Sequence, residues 1–230
     1  MSVVLLIRHG QASVGWDDYD RLSPRGLEQA GVLGAALRER ALKVGAVVCG
    51  RQLRHAQTAE ACLTELGAKH EIRRLAGFDE LDHLELLGGL DPRYADRAAL
   101  VADVMASGDP LRAAQEIFAR AVARWVGGEH DADYSETWSS FRRRCGQALE
   151  EVTQLLSHDE TALVFTSGGP ITAICQELLG LADEHAFRIT WTLVNCGVTK
   201  VLTTRRGLQL STVNEHAHFE GRHRSLISYR

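Results

Sequence analysis

The sequence predicts an α/β fold in which a mostly parallel central sheet is flanked by helices. The run Val3 to Ile7 consists of valine, leucine and isoleucine without a charge, which is the pattern of a buried strand. Short apolar runs then alternate with longer helical patterns, and this alternation is interrupted in the middle of the chain and returns from Ala162 onward. Such a pattern predicts parallel strands joined by right-handed helical crossovers.

Start and stop signals place the first elements after this strand. Ser23 and Pro24 supply a helix cap and a first-turn residue, and Gly67 supplies a helix stop. The predicted order is a helix from Ser23-Pro24 to about Ala41, a strand at Ala46–Cys49, a helix at about Leu53–Leu66 and a strand at His70–Arg74.

The middle of the chain has a different character. From about Asp82 to His158 alanine, arginine and glutamate predominate with helical spacing, and no convincing strand is present. Ser135 is a candidate cap for a helix whose apolar residues recur every three or four positions. These residues are Trp138, Phe141, Cys145, Leu149, Val152 and Leu156. We predict a single domain over residues 1–230 in which about 82–158 form a helical insertion over the carboxyl end of the sheet.

The α/β pattern resumes with a strand at Ala162 to Thr166 and a tight turn at Gly168-Gly169-Pro170. The next helix carries Ile171, Ile174, Cys175 and Leu178 on one face. Further strands are predicted near Ile189–Val194, Val198–Thr203 and Leu208–Val213.

The composition of the chain argues against some classes of binding partner. The 230 residues carry a formal net charge of −4, so neither nucleic acid nor an anionic membrane is expected as the main partner. An anion site would therefore need a local concentration of arginine. No run approaches the roughly 18 apolar residues of a membrane span, and the N-terminal run is too short for a secretion signal. The five scattered cysteines lack a CxxC pair, which favours buried reduced thiols in a cytoplasmic protein.

The first strand ends in Arg8, His9 and Gly10, which are a cation, a potential nucleophile and a flexible residue. Ligands of open α/β sheets bind at the carboxyl ends of the strands. A neutral imidazole can attack phosphorus, and guanidinium groups bind phosphoryl oxygens in bidentate geometry. The pattern indicates chemistry on a phosphoryl group.

Three further parts of such a site follow at the expected positions. Arg54 begins the second helix, Glu80 follows the third strand, and the loop Thr166-Ser167-Gly168-Gly169 offers backbone N–H groups to an anion. A carboxylic acid can protonate the leaving oxygen and then take a proton from water. Other acidic residues near Glu80 leave the choice of acid open: Asp79, Asp82 and Glu85.

With these blocks in this order, the chain resembles the histidine phosphatase superfamily, also called the phosphoglycerate mutase-like family. The matching segments are Arg8-His9-Gly10, Leu22 to Ala30, Arg54 with Gln57-Thr58-Ala59, Glu80 and Gly168-Gly169. The resemblance covers nearly the whole chain and implies neither a metal ion nor a cofactor.

The resemblance also implies residue roles. His9 would be the phosphorylated nucleophile, Arg8 and Arg54 would bind the phosphate, and Glu80 would be the proton donor. Substrate contacts are expected from Gln11, Ser13, Ser167 and Gly168.

The chain departs from the family pattern at the late loop. The family normally has a second histidine directly before the glycine pair, whereas this chain has Ser167. Gly50 stands where serine is common, and His55 where alanine is common. Removing one transition-state contact typically costs roughly 10²–10³ in rate. The sequence leaves open whether His55, His216 or His218 compensates.

A second cluster, Glu215-His216-Ala217-His218 with Glu220 and His223, resembles a metal site because alternating histidines on a strand point the same way. Histidine-rich segments near a terminus are more often a polar edge. We therefore expect no metal there.

The leading function hypothesis is a phosphatase that acts through a phosphohistidine on His9. Its substrate would be a small phosphorylated metabolite or a phosphoprotein. A phosphoglycerate mutase ranks lower, because the segments that mark such mutases are not evident after Gln11 or around Glu80. Ser167 motivates a third hypothesis, a weakly active or non-catalytic relative that binds phosphorylated ligands or partners. The edge of the last strands leaves a homodimer open.

Overall fold

The computed structural model of the chain describes residues 1–13 and 20–229, and the chain divides into two compact units. The first contains Met1–Glu80, Arg144–Leu181 and His185–Arg230 and carries the sheet. The second contains Leu81–Arg143 and Ala182–Glu184, all of them described residues, and consists of helices and their connections. It overlaps the predicted insertion, but from Arg144 onward the chain belongs to the first unit.

Six strands form one sheet in the first unit. They are β1 (Ser2–Arg8), β2 (Val44–Cys49), β3 (Ile72–Arg74), β4 (Thr161–Thr166), β5 (Val198–Thr204) and β6 (Gly207–Glu215). The order across the sheet is β3-β2-β4-β1-β5-β6. The first four strands in this order are parallel, and β5 is antiparallel to both of its neighbours. The predicted α/β fold with a mostly parallel sheet is therefore confirmed.

Helices connect the strands from β1 to β5, and a short turn joins β5 to β6. The α-helices are α1 (Pro24–Glu39), α2 (Leu53–Leu66), α3 (His83–Leu90), α4 (Arg97–Ala106), α5 (Pro110–Val126), α6 (Trp138–Gln154), α7 (Gly168–Leu179) and α8 (Asp183–Ala186). Short 3-10 helices lie at Ala76–Phe78, Pro92–Ala95, Asp131–Asp133, Thr190–Thr192, Ala217–Phe219 and Gly221–Leu226. In the described part of the chain, none of the helices has the length and apolar character needed to cross a membrane.

The apolar character of the central strands follows from burial on both faces. Every residue of β4 is buried, as are Val4 to Ile7 of β1. Parallel strands covered on both faces need continuous rather than alternating apolar runs. Leu5 and Ile7 belong to the same buried apolar cluster as Leu33 and Leu37 of α1. Each such side chain contributes about 1.5–3 kcal/mol when fully buried.

The predicted start of α1 and the predicted end of α2 are confirmed. Ser23 caps α1 by accepting a hydrogen bond from Gly26 N at 3.1 Å, and Pro24 occupies the first turn, where its missing N–H is not needed. Gly67 ends α2 with φ +73°, a left-handed conformation that glycine adopts without a steric penalty.

The strand predicted at Ile189–Val194 is wrong, because this segment contains a 3-10 helix at Thr190–Thr192. The side chain of Asn214 makes the backbone hydrogen bonds that a neighbouring strand would otherwise make. Its Oδ1 accepts from Val194 N at 2.8 Å, and its Nδ2 donates to Thr192 O at 2.6 Å. The backbone groups are thus satisfied without a sheet ladder.

The predicted cap of α6 is also wrong. Thr137 caps the helix, since its Oγ1 accepts from Ser140 N at 3.1 Å. Ser135 instead donates its backbone N–H and its hydroxyl to the carboxylate of Glu85. The predicted apolar face is buried from Trp138 to Val152, whereas Leu156 lies beyond the helix end.

The carboxyl ends of three parallel strands meet at one edge. Arg8 of β1 pairs with Thr166 of β4, and Cys49 of β2 pairs with Phe165. The residues that directly follow these strands therefore come together, as the rule for ligand sites in α/β sheets requires.

Candidate active site

His9 follows β1 at this edge and is 4% exposed. Its backbone N–H donates to Thr166 O at 2.8 Å, and its carbonyl accepts from Asn195 Nδ2 at 3.0 Å. The backbone of His9 is thus held from both sides, which fixes the position from which the imidazole projects.

The His9 ring is held in one tautomer. Its Nδ1 lies 2.7 Å from Gly10 O, and because a carbonyl only accepts, Nδ1 carries the proton and Nε2 has the lone pair. Burial lowers the pKa of His9 well below its usual value, and the nearby Arg54 and Arg8 lower this pKa further. The ring is therefore neutral at neutral pH, and its Nε2 lone pair can act as a base or as a nucleophile.

Arg8 is half-buried at the end of β1. Its Nη1 donates to the carbonyl of Leu193 and, at 3.3 Å, to that of Tyr229. These bonds orient the guanidinium next to the histidine whose pKa it lowers.

Arg54 lies in the first turn of α2 and is 6% exposed. Its Nη1 donates to Asp20 Oδ1 at 2.8 Å, and the other oxygen of Asp20 accepts from Leu53 N at 2.9 Å. Gln52, the residue at the cap position, makes no side-chain cap bond. Asp20 therefore both caps α2 and pairs with Arg54.

Glu80 meets the loop after β4. Its two carboxylate oxygens accept from Gly169 N at 3.1 and 3.4 Å. Gly169 lies in the first turn of α7, so Glu80 contacts the N-terminal end of this helix.

The neighbouring acids have other partners. The Asp79 carboxylate accepts from the backbone N–H and the Nε of Arg51, both at 2.6 Å. Asp82 caps α3, and Glu85 binds Ser135. Of the four acids considered from the sequence, Glu80 is thus the one with a hydrogen bond to the late loop.

The late loop connects the predicted residues. Its Thr166 carbonyl holds His9, its Gly169 N–H holds Glu80, and its Ser167 hydroxyl contacts His55. Gly168 begins α7 and is buried. Three residues of one loop therefore bring His9, Glu80 and His55 into one neighbourhood.

Gln11 and Ser13 lie in the segment that follows His9. Gln11 Oε1 accepts from Ser23 Oγ at 3.1 Å, and Ser13 Oγ donates to Leu22 O at 3.2 Å. Both side chains are partly exposed, and both are tied to the segment that starts α1. Their contact with a substrate stays a prediction.

Two glycines allow this segment to approach α1. A Cβ on Gly10 would lie 2.5 Å from Gly26 O, and a Cβ on Gly26 would lie 2.2 Å from Gln11 O. Both distances are shorter than any normal contact. Gly10 is therefore required because the start of α1, at Pro24, packs directly against it, although Pro24 lies 14 positions later in the sequence.

His55, Ser167 and Gly50 lie together. His55 Nε2 is 2.6 Å from Ser167 Oγ, and both side chains are fully buried. The ring centroids of His55 and His9 are 5.7 Å apart. A Cβ on Gly50 would lie 2.4 Å from His55 Nδ1. Burial lowers the pKa of His55 well below its usual value, and Arg54 lowers it further.

The His216–His218 segment does not have the geometry of a metal-binding strand, because β6 ends at Glu215 and His218 lies in a 3-10 helix. The His218 ring packs on Phe219 with centroids 4.2 Å apart. Among the described residues, no group of three or more His, Cys, Asp or Glu side chains is arranged to hold a metal ion.

Three residues of the site escaped the sequence analysis. Asp20 pairs with Arg54, and Asn195 donates to the His9 carbonyl. The third residue is Gln29, which is fully buried. It accepts from Gln11 N at 2.8 Å and donates to Leu226 O at 2.7 Å. Of these three residues, Gln29 alone could have been recognised from the sequence, because it lies within the segment Leu22 to Ala30 that matches the family.

Fold and site together define an α/β protein with a candidate anion site at the carboxyl edge of its sheet. The family model described as histidine phosphatase superfamily (branch 1) matches residues 4–99 and 102–216. The chain therefore belongs to the histidine phosphatase superfamily.

Solved structures share the fold. YhfR of Bacillus stearothermophilus is 17% identical with a TM-score of 0.69, over 96% of this chain and 100% of that chain. A phosphoserine phosphatase mutant of Entamoeba histolytica in complex with phosphoserine is 16% identical with a TM-score of 0.63, over 95% and 99%. A phosphoglycerate mutase of Bacillus anthracis is 18% identical with a TM-score of 0.63, over 94% of both chains. None of the curated proteins matches the sequence.

Proposed function

We propose that the protein hydrolyses phosphomonoesters through a phosphohistidine intermediate on His9. The observation that carries this proposal is the fixed neutral ring of His9, whose Nδ1 donates to Gly10 O and whose Nε2 keeps its lone pair. Arg8 and Arg54 concentrate positive charge beside this ring in a chain with a net charge of −4. A local cationic site of this kind favours a phosphoryl group over the rest of the surface.

In the first step, His9 Nε2 forms a bond to phosphorus while the ester P–O bond breaks, and the protonated carboxyl of Glu80 gives its proton to the leaving oxygen. In the second step, the Glu80 carboxylate takes a proton from water, the resulting hydroxide oxygen attacks phosphorus, and the P–N bond breaks. Inorganic phosphate leaves, and His9 and Glu80 return to their starting forms. The arginines stabilise the charge on the phosphoryl oxygens in both steps.

The proposed substrate is a small phosphorylated metabolite or a phosphorylated protein side chain. Membership of the superfamily supports the phosphoryl chemistry. The phosphoserine complex of the Entamoeba protein supports a small phosphomonoester, because that protein has the same fold over nearly its whole length.

The test is labelling with a ³²P-labelled aryl phosphate followed by acid treatment. We expect acid-labile label on the wild type and on the control His158→Ala, whose histidine is exposed and has its Nδ1 2.8 Å from Asp159 Oδ2. The variant His9→Ala should carry no label and should release no phosphate. Equal labelling of His9→Ala and wild type would contradict the proposal.

Ser167 favours a second candidate, a relative that binds phosphate without turnover, because the family pattern has a histidine at this position. Calorimetric binding of inorganic phosphate by the wild type, together with no label and no phosphate release, would support this candidate. Turnover of any phosphomonoester that depends on His9 would exclude it.

A further inference from the structure

We infer that His55 and Ser167 act as one hydrogen-bonded pair that donates to the phosphoryl group at His9. Ser167 is the contact, and His55 is its positioning residue. This inference rests on the proposed phosphoryl chemistry and gives a role to a histidine that the family resemblance leaves unassigned.

The first argument is geometry. His55 and Ser167 are separated by 112 positions in the sequence, yet His55 Nε2 and Ser167 Oγ lie 2.6 Å apart, and neither side chain is exposed. The His55 and His9 rings have centroids 5.7 Å apart and planes inclined by 36°. The pair therefore lies against the proposed nucleophile.

The second argument concerns the proton between the two residues. His55 Nδ1 is buried and has no hydrogen-bond partner among the described residues. Buried N–H groups without an acceptor are rarer than unpaired acceptors, so the proton belongs on Nε2 and Nδ1 keeps the lone pair. His55 then donates to Ser167 Oγ, and the serine O–H is left to donate to a second acceptor. A phosphoryl oxygen at His9 provides that acceptor.

The third argument is that three departures from the family pattern meet at one place. Serine replaces histidine at 167, histidine replaces alanine at 55, and glycine replaces serine at 50. A Cβ at position 50 would lie 2.4 Å from His55 Nδ1 and 2.6 Å from Phe78 O, so the ring fits here because Gly50 lacks a side chain. An imidazole lost from the late loop is thus replaced by one from α2.

The pair offers the phosphoryl group a neutral donor. The Ser167 hydroxyl alone has freedom to rotate, whereas a hydroxyl that accepts from His55 has its own proton directed away from that ring. A fixed donor stabilises charge that develops in the transition state better than a donor that must reorient. Loss of either member therefore removes the same contact.

A double-mutant cycle tests this unit. We expect Ser167→Ala and His55→Ala each to lower kcat/KM for an aryl phosphate by roughly 10²-fold, and the double variant to be no more than about 3-fold worse than either one. His55→Gln keeps an N–H donor and should retain activity within about 10-fold of the wild type. Effects that multiply in the double variant, or an unchanged His55→Ala, would overturn the inference.

Exchange of the two side chains tests their spatial equivalence. Ser167→His alone should be poorly active because the new ring meets His55, whereas Ser167→His combined with His55→Ala should recover to within about 10-fold of the wild type. Failure of this recovery in a variant with wild-type thermal unfolding would overturn the inference. His218→Ala serves as the control for loss of a histidine ring elsewhere in the first unit.

Binding of inorganic phosphate separates this inference from the proposed function. If the wild type binds phosphate but is neither labelled nor active, the proposed hydrolysis fails, and the pair is still tested by the phosphate Kd. We expect Ser167→Ala and His55→Ala to weaken this Kd by about 5-fold or more. An unchanged Kd in both variants would overturn the inference.

Discussion

The pairing of Arg54 with Asp20 places a carboxylate where a phosphoryl group is expected to bind. The Arg54 side chain is 7% exposed, whereas that of Asp20 is 50% exposed, so the arginine is fixed and the aspartate is the partner with room to move. Asp20 also accepts from Leu53 N with its second oxygen. A ligand at Arg54 therefore competes with a residue that has a structural role as well.

We predict that Asp20→Asn binds inorganic phosphate more tightly than the wild type, by about 3- to 10-fold. The amide keeps an oxygen for Leu53 N but removes a negative charge. Two unit charges about 4 Å apart repel by about 1 kcal/mol in water, and the Asp20 side chain is half exposed to water. Isothermal titration at low ionic strength measures the effect. Asp91→Asn, in the second unit, is the charge-matched control and should leave the Kd unchanged. Weaker binding by Asp20→Asn would show that the aspartate orients Arg54 instead of competing with phosphate.

Local signals made several site residues predictable, and distance in the sequence hid the others. His9 and Arg54 each stand where an element ends or begins, and such a position can be recognised within a few residues. The His55–Ser167 contact depends on which way a side chain of α2 points after the helix packs on the sheet. Neighbouring helical residues point about 100° apart, so the position of Arg54 does not determine that of His55.

At the scale of elements, α1 packs closely on both sides through glycine. A Cβ on Gly26 would lie 2.2 Å from Gln11 O, and a Cβ on Gly34 would lie 2.2 Å from Cys62 O of α2. Gly31 is different, because its Cβ would meet only Glu65 Cγ at 3.5 Å, an ordinary contact. The same helix therefore contains two glycines that its packing requires and one that it does not.

We predict opposite effects for alanine at these positions. Gly26→Ala and Gly34→Ala should each lower the free energy of unfolding by about 1–3 kcal/mol, because backbone atoms would have to separate. Gly31→Ala is the matched control and should raise the free energy of unfolding by about 0.5–1 kcal/mol, because alanine has the higher helix propensity. Urea unfolding followed by circular dichroism measures all three. A stabilised Gly26→Ala would contradict the close approach of α1 to the loop after β1.

Elements whose boundaries depend on their own residues were predicted well. The Ser23-Pro24 start and the Gly67 stop are examples, because cap and stop act within one turn. The segment Ile189–Val194 is apolar enough for a strand, but the side chain of Asn214 satisfies its backbone instead. The residues 189–194 themselves do not indicate this partner, because Asn214 lies near the carboxyl end of β6.

At the scale of the whole molecule, three histidines make stability depend on pH. Burial lowers the pKa of His9 and of His55 well below the usual value, and it lowers the pKa of His218 to about 4. This value for the pKa of His218 includes a smaller lowering by Arg40, which Glu215 opposes. All three therefore bind protons more weakly in the folded protein than in the unfolded chain.

The direction of the pH effect follows from this difference in proton binding. Below about pH 6.5 the unfolded chain protonates these rings while the folded protein does not, so the free energy of unfolding rises with pH across this range. We predict that the thermal midpoint falls as the pH is lowered from 7.5 to 5. His218→Phe should reduce this fall, because phenylalanine keeps the ring against Phe219 and cannot take up a proton.

The control is His130→Gln, which changes an exposed histidine and should leave the pH dependence as in the wild type. Thermal unfolding of the three proteins at pH 7.5, 6 and 5 then isolates the buried ring. If His218→Phe loses as much stability on acidification as the wild type, His218 is not titrating between the two states. If the thermal midpoint of His218→Phe still falls on acidification, but by less than that of the wild type, other groups cause the remaining fall. His9 and His55 are the first candidates, because both are buried beside Arg54.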